Sequence, residues 1–255
     1  MSFKNLAPDP KKRFSSRVEN YIKFRPSYPL KIIEFLKEKK ILTKDSVVAD
    51  IGSGTGILSK IFLDNGNQVY GIEPNKDMRE AAEKILLGYP NFTSLEGSAE
   101  STGLEDNIID LITAGQAFHW FDVDEAKREF KRVLKPNYNV VIIWNNRGKG
   151  GSEFNSSYEN FMLKYGTDYK EVMKKEENVD RFYTYQKESF YNFQELDFNS
   201  FKGRILSASY IPLPDNPIFP RMIVELEDLF NKHQKNGFIR IEYDTEVYFG
   251  KLEIF

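Results

Sequence analysis

The chain has 255 residues, of which 40% are hydrophobic and 29% charged, so it holds enough apolar mass for a large folded core. Its 36 basic and 38 acidic side chains leave a net charge of −2, which gives no support to a nucleic-acid partner. The absence of cysteine and the presence of only two histidines exclude disulfides, thiolate nucleophiles and multi-histidine metal sites. No apolar run reaches signal-peptide or membrane-span length, so we expect a cytoplasmic protein without a membrane partner.

Two helices are predicted in the first 45 residues. Ser15 and Ser16 are candidate caps for a helix that reaches Phe24, and Pro29 opens a second helix. This leader is rich in lysine and arginine, which is typical either of a solvated helix face or of a segment close to an anionic ligand.

From residue 46 onward, short apolar strands alternate with helices, the pattern of a parallel sheet covered on both faces. Asn75 is a predicted helix cap, and Asp122 with Glu125 three residues later predicts a capping box for another helix. Residues 46–147 are therefore interpreted as an α/β core. Its five strands are predicted at residues 46–51, 68–73, 92–96, 108–114 and 139–144.

Beyond Arg147 the alternation ends, and residues 148–202 are predicted to be helical or irregular and rich in aromatic side chains. This stretch is interpreted as an inserted cap. Strand character returns at 204–210, followed by a predicted helix at 219–234 and a final strand at 238–249. Residues 203–255 are therefore predicted to supply two strands and a helix that complete the sheet.

The most informative motif is V-V-A-D-I-G-S-G-T-G, in which the first strand runs into three alternating glycines and then a helix. Glycines permit a sharp turn and close approach of the backbone to a ligand, and a helix start offers N–H groups to an anion. Asp50 precedes the glycines, and Glu73 ends the next strand at the spacing where an acid meets the hydroxyls of a ribose. The two acids favour a loop that binds a nucleoside over a loop that only connects the strand with the helix.

Nicotinamide and S-adenosylmethionine enzymes both use this geometry, but they need different loops. A dinucleotide loop that begins at Gly52 needs glycine at position 57, where Ile57 stands. One that begins at Gly54 needs a small residue at position 59, and Ser59 meets this need only in part. Asp50 would repel a pyrophosphate, whereas it would attract the ammonium of an amino-acid ligand. The charges favour S-adenosylmethionine. An NAD(P)-dependent oxidoreductase and a non-catalytic S-adenosylmethionine-binding protein are the alternatives.

Several separated motifs resemble those of class I S-adenosylmethionine-dependent methyltransferases, most closely the small-molecule type-11 group. They are D-I-G-S-G-T-G from Asp50, E-P-N-K-D-M from Glu73, G-S-A-E from Gly97, G-Q-A-F-H-W from Gly115 and the leader Y-I-K-F-R-P-S-Y-P from Tyr21. The resemblance implies a Rossmann-like fold with a mostly parallel seven-stranded sheet and helices on both faces. It also implies that residues 1–45 form a helical lid and that residues 148–202 cap an acceptor pocket.

Carried over to this sequence, the resemblance implies roles for individual residues. Gly52, Ser53 and Gly54 would line the methionine part of the cofactor, Arg25 would reach its carboxylate and Gln116 would lie beside the sulfonium. Glu73 would bind the ribose. The complete set of implied cofactor contacts is Tyr21, Arg25, Asp50, Gly52, Ser53, Gly54, Glu73, Pro74, Met78, Ser98, Ala99, Glu100 and Gln116.

The acceptor would meet the methyl group where the fourth strand ends. His119 follows that strand and is the candidate general base for a hydroxyl or the orienting group for a carboxylate; a packed or helix-capping histidine is the alternative. Trp120, Asn145 and Arg147 are candidate acceptor contacts, and Arg147 favours a carboxylate or phosphate. We therefore expect methylation of a small molecule, preferably at a carboxylate or hydroxyl oxygen, without nucleic acid and without a metal.

Overall fold

The computed structural model of the chain describes residues 15–147, 153–167, 169 and 179–252, apart from the side chains of residues 137 and 138. Phe14 and residues 148–152, 168 and 170–178 of the predicted cap lie outside these ranges. The strands are β1 Val47–Ile51, β2 Gln68–Ile72, β3 Phe92–Leu95, β4 Ile109–Gly115, β5 Leu134–Arg147, β6 Gln186–Leu196 and β7 Ile239–Lys251. The helices are α1 Val18–Phe24, α2 Lys31–Glu38, α3 Ile57–Asp64, α4 Lys76–Ile85, α5 Val123–Val133, α6 Glu153–Tyr165, α7 Val179–Phe182, α8 Phe198–Leu206 and α9 Phe219–His233.

The described strands form one seven-stranded sheet in the order β3-β2-β1-β4-β5-β7-β6. The first five strands are parallel, and β7 lies antiparallel between β5 and β6. The strand order reverses between β1 and β4, so the connections after these strands leave in opposite directions. Ligands of open α/β sheets bind in the crevice at such a switch point, beyond the carboxyl ends of the strands. The predicted mostly parallel α/β sheet is confirmed.

Hydrophobic cores on both faces of the sheet hold the helices in place. On one face Leu36 of α2 and Phe62 of α3 are fully buried, and on the other Phe130 of α5 packs with Phe182 of α7. Complete burial of one such side chain contributes about 1.5–3 kcal/mol. Helices therefore cover both faces, as predicted. None of the helices described is both long and apolar enough to cross a bilayer.

Local polar contacts set two of the helix starts. The side chain of Asn75 caps α4, and Asp122 Oδ1 accepts hydrogen bonds from the backbone of Asp124 and Glu125, each at 3.1 Å. The predicted reciprocal half of the capping box is wrong, because Glu125 pairs instead with an arginine of its own helix. The backbone N–H of Asp122 donates to Glu100 at 2.8 Å, which fastens the G-S-A-E segment to the start of α5.

The chain after residue 180 differs from the prediction. The strand predicted at 204–210 is wrong: residues 204–206 form the end of α8, whose start is capped by Asp197, and a turn follows. The sixth strand is Gln186–Leu196, inside the segment interpreted as the cap. The division placed between residues 202 and 203 therefore falls within α8. Short apolar runs fit strands and helices equally well, which explains the error.

A third core connects the last helices with the projecting end of β7. Buried side chains of α6, α8 and α9, including Tyr158, Phe201 and Met222, surround Ile241 of β7. On its other side α8 contacts the leader, because Gly203 leaves room for the ring of Phe24: a Cβ at Gly203 would lie 2.2 Å from that ring. The leader and α8 are therefore packed directly against each other.

Candidate functional site

Two adjoining cavities lie at the carboxyl ends of β1 and β4. The arginine cavity, named for Arg25, Arg147 and Arg204 in its wall, has a volume of about 130 Å³. The glutamate cavity, named for Glu73, has a volume of about 200 Å³. Five residues line both cavities and make them one continuous crevice: Tyr21, Gly52, Gly115, Gln116 and Trp120.

The structure brings every predicted site residue to this crevice. The wall of the glutamate cavity includes the predicted cofactor contacts Tyr21, Gly52, Gly54, Glu73, Pro74, Met78, Ser98, Ala99, Glu100 and Gln116. The wall of the arginine cavity adds the remaining ones, namely Arg25, Asp50, Ser53, His119, Trp120, Asn145 and Arg147. The sequence therefore identifies the location of the site, and the roles of its members stay predictions.

The glycine loop is held by its own backbone. Gly52 and Gly54 have φ angles of 69° and 57°, which other residues adopt only with strain. The N–H groups of Gly52 and Ser53 both donate to the carbonyl of Ile72 at the end of β2, and that of Gly54 donates to Glu73. These three donors are therefore already used within the protein, whereas the prediction concerned the N–H groups at the start of the helix that follows the loop.

Glu73 is oriented by two backbone donors. Its Oε2 accepts from Gly54 at 2.9 Å and its Oε1 accepts from Asn75 at 2.8 Å. Burial raises the pKa of this carboxyl group, and the two hydrogen bonds counteract that rise. Each carboxylate oxygen has further lone pairs, so the side chain can also accept hydrogen bonds from two neighbouring hydroxyls of a ligand.

Asp50 is fully buried at the end of β1, where it belongs to the wall of the arginine cavity. Its carboxylate accepts hydrogen bonds from the hydroxyls of Ser59 at 2.6 Å and Thr113 at 3.3 Å. Burial raises its pKa to about 6, against the effect of these hydrogen bonds. A cationic ligand group would favour the ionised form, so the position suits an ammonium.

The segment after β4 turns back towards the crevice. Gln116 has a φ of 56°, and its backbone N–H donates to Ile143 at 2.9 Å. His119 and Trp120 follow on a 3₁₀ turn with ring centroids 4.7 Å apart, and both line the arginine cavity. Phe118 of the same turn packs in the core against Phe182 with ring centroids 5.0 Å apart.

The end of β5 is held by residues outside the core sheet. Arg147 lies over the ring of Tyr158 at 4.7 Å and pairs with Glu159 at 3.1 Å, and it also contacts the hydroxyl of Tyr169. The side-chain oxygen of Asn145 accepts a hydrogen bond from Thr245 of β7. Both residues line the cavity, and both are tied to neighbouring elements.

Sequence reasoning missed several residues of the arginine cavity. Tyr28 belongs to the predicted leader, Trp144 to the fifth predicted strand and Arg204 to the strand predicted at 204–210, so the sequence indicates no site role for them. The one signal, for Ser209 and Tyr210, is the S-A-S-Y-I-P motif from Ser207, in which the family resemblance is weak. The lining residues without a predicted role are Pro26, Tyr28, Ile57, Leu58, Gly115, Trp144, Arg204, Ser209 and Tyr210.

No group of three or more histidine, aspartate or glutamate side chains suited to a metal ion occurs in the part of the chain that the structure describes. A catalytic zinc ion takes three such protein ligands. The expectation of a metal-free reaction stays a prediction.

Comparison with known proteins relates the core of the chain to methyltransferases. A family model described as a methyltransferase domain matches residues 49–142. An uncharacterized methyltransferase of Schizosaccharomyces pombe is 34% identical over 135 residues, which cover 52% of this chain and 53% of that protein. One of Mycobacterium tuberculosis is 34% identical over 134 residues, covering 52% of each chain. The chain thus spans about half the length of the curated relatives it matches.

Solved structures extend the similarity to nearly the whole fold. A candidate type II methyltransferase from Anaeromyxobacter dehalogenans has a TM-score of 0.72 at 18% identity, covering 90% of this chain and 98% of that one. A candidate S-adenosyl-L-methionine-dependent methyltransferase from Methanococcus maripaludis has a TM-score of 0.53 at 28% identity, covering 70% of this chain and 87% of that one. Together with the family match, these likenesses confirm the predicted fold and the resemblance of the core to these enzymes. Residues 49–142 match the methyltransferase domain of the type-11 family, and the fold is that of S-adenosylmethionine-dependent methyltransferases.

Proposed function

We propose that this protein transfers a methyl group from S-adenosylmethionine to a small-molecule acceptor. The observation that carries the proposal is the continuous crevice at the switch point of the sheet, in which Glu73 lies in one cavity and Asp50 and Arg25 lie in the other. This separation of charges corresponds to the ribose and the amino-acid end of S-adenosylmethionine.

The residues present fit each part of that cofactor. The oriented carboxylate of Glu73 suits the ribose hydroxyls, and the apolar side chains of Met78 and Ala99 in the same wall suit an adenine ring. Asp50 suits the ammonium. The Nε of Arg25 is buried without a hydrogen-bond partner among the described residues, so a cofactor carboxylate would satisfy it.

The same contacts argue against a nicotinamide dinucleotide. A pyrophosphate in this position needs the N–H groups of the glycine loop, and those of Gly52, Ser53 and Gly54 already have partners. A buried Asp50 next to a pyrophosphate would add repulsion between like charges. The oxidoreductase alternative is therefore disfavoured on geometry as well as on sequence.

When bound, S-adenosylmethionine would supply an electrophilic methyl group for in-line transfer to an acceptor oxygen, with its sulfur as the leaving group. Tyr21 and Trp120 line both cavities, so they lie where the two ligands meet; their rings can exclude water there and attract a sulfonium. His119 is placed to take the proton of a hydroxyl acceptor or to orient a carboxylate, which has no proton to lose.

Calorimetric titration tests the cofactor assignment without knowledge of the acceptor. We expect S-adenosylhomocysteine to bind near micromolar, about −8 kcal/mol, and NAD and NADP to give no heat. Nicotinamide binding without S-adenosylhomocysteine binding would overturn the proposal. Formation of S-adenosylhomocysteine from S-adenosylmethionine with a panel of small acids, phenols and alcohols then separates an enzyme from a protein that only binds the cofactor.

Substitution of His119 by glutamine tests its part in the reaction. With a hydroxyl acceptor we expect kcat to fall by about 100-fold or more, because general-base catalysis contributes on the order of 10²–10⁴. Affinity for S-adenosylhomocysteine should stay within a factor of about 3. His233→Gln is the matched control, since His233 lies on α9 next to Ser157 rather than in the crevice. Equal kcat values for the two variants would show that His119 takes no proton.

A further inference from the structure

The arginine cavity contains more positive charge than its acidic side chains balance. Among the residues described, Arg147 has an ionic partner in Glu159, whereas neither Arg25 nor Arg204 makes an ion pair with a carboxylate. Arg204 is only 6% exposed, so water compensates little of its charge. Asp50 is the acidic residue in the wall of this cavity.

Buried hydrogen-bond donors without acceptors gather in the same wall. The Nε atoms of Arg25 and Arg204 and the Nε1 of Trp144 are buried and have no hydrogen-bond partner within the described ranges. All three are N–H donors that belong to residues lining the arginine cavity. A buried donor without a partner has lost its hydrogen bonds to water and gained none in return. Ligand oxygens that accept hydrogen bonds from these donors would compensate for that loss.

Arg147 and Arg204 reach this wall from opposite elements, the end of β5 and the end of α8. Arg147 lies over the ring of Tyr158 at 4.7 Å, and Arg25 and Arg204 line the same cavity as Arg147. In keeping with this placement, burial and the charge of Arg204 lower the pKa of Arg25. The three cations therefore form one cluster rather than three separate surface charges.

Cofactor binding increases the excess of positive charge in the crevice. S-adenosylmethionine carries an ammonium, a carboxylate and a sulfonium, so it brings one net positive charge into the crevice. Its carboxylate occupies Arg25 under the proposed function, which leaves the Nε of Arg204 and the Nε1 of Trp144 without an acceptor among the described residues. The missing negative charge must then come from the second ligand.

We propose that Arg204, with Trp144 and Arg147, forms a subsite that binds an oxyanion of the methyl acceptor. The acceptor is accordingly an acidic small molecule with a carboxylate or a phosphate, groups that a guanidinium binds through two parallel hydrogen bonds. That the bound anion is the methyl acceptor rests on the proposed function, whereas the anion subsite itself rests on the contacts of this chain alone.

The test is calorimetric titration of the protein, with and without saturating S-adenosylhomocysteine, using benzoate, phenyl phosphate and the neutral benzamide as probes. We expect at least one anion to bind and benzamide to bind about 10-fold more weakly or not at all. Arg204→Met should weaken the anion about 10-fold or more, while Arg240→Gln, an exposed arginine paired with Glu195, should leave it unchanged. Comparison of benzoate with phenyl phosphate distinguishes a carboxylate subsite from a phosphate subsite.

Thermal unfolding separates this role from a structural one. Because Arg204 is buried without a carboxylate partner, Arg204→Met should keep or raise Tm in the absence of anions, and benzoate or phenyl phosphate should raise Tm of the wild type only. Arg204→Lys keeps the charge without the planar fork and should show intermediate affinity. The proposal is overturned if benzamide binds as tightly as the anions, or if folded Arg204→Met or Arg204→Lys binds them like the wild type. Failure of S-adenosylhomocysteine to bind would instead refute the proposed cofactor and leave the anion measurements valid.

Discussion

Glu73→Ala is expected to weaken S-adenosylhomocysteine binding by about 100-fold or more. The substitution removes an anionic acceptor for the ribose hydroxyls, and each hydrogen bond to a charged group contributes about 1.5–3 kcal/mol. It also leaves the N–H groups of Gly54 and Asn75 without their acceptor. Two lost hydrogen bonds amount to about 3 kcal/mol, which is roughly a factor of 150 in affinity. Calorimetric titration of the wild type and of Glu73→Ala with S-adenosylhomocysteine measures this difference in affinity.

Glu96→Ala is the matched control for this substitution. Glu96 follows β3, and its side chain is 76% exposed. It pairs with Arg79, which also donates to the backbone carbonyl of Glu73, but neither Glu96 nor Arg79 lines the crevice. We expect its affinity for S-adenosylhomocysteine to equal that of the wild type. If Glu73→Ala folds normally and binds as tightly as Glu96→Ala, the ribose assignment is refuted and the glutamate cavity holds some other group.

Gly52→Ala is expected to damage both stability and the site. A Cβ at this position would lie 2.6 Å from the Cβ of Ala117, at a φ of 69° that alanine adopts with strain. Left-handed backbone costs about 1–2 kcal/mol, and overpacking adds about 1–3 kcal/mol. We expect Tm to fall by about 5 °C or more, given roughly 2–4 °C per kcal/mol for a chain of this size. Affinity for S-adenosylhomocysteine should fall as well, because Gly52 and Ala117 line the glutamate cavity.

Gly66→Ala separates backbone strain from the steric clash. Gly66 has a φ of 93°, and nothing lies within 4 Å of a Cβ built there. Its substitution should carry the backbone cost alone, with a smaller fall in Tm and unchanged cofactor affinity. Equal effects of the two substitutions on Tm and on binding would show that the contact with Ala117 yields easily, and that the close packing of the loop on the segment after β4 is unimportant.

The sequence predicts those parts of the site that are encoded locally. Asp50, the glycine loop and Glu73 follow directly from strands β1 and β2, and parallel strands end at one edge of the sheet. A strand followed by glycines and an acid at the next strand end is sufficient to bring them together. For the same reason His119 and Arg147, which follow β4 and end β5, were placed at the correct edge.

Arg204 could not be found in this way, because its position depends on contacts between distant segments. It enters the cavity wall only because α8 packs on α1 through Gly203 and Phe24, which are far apart in sequence. The strand β6 was missed for a different reason. It is an edge strand whose residues are mostly exposed, including Tyr191 at 59% and Phe193 at 44%, so its hydrophobic pattern resembles that of an irregular segment.

The hydrogen bonds between the leader and the region of α8 have a kinetic consequence. Arg17 donates to the carbonyl of Leu206 at 2.8 Å, Arg25 donates to that of Ser207 at 2.9 Å, and Gln194 donates to that of Phe24 at 3.0 Å. Because of these bonds, α1 cannot leave the crevice without displacing α8. An anion held by Arg204 would thus prolong the residence time of a cofactor under Tyr21, and by linkage each ligand would raise the affinity for the other by the same factor. Release of the two products is then expected to be mutually dependent.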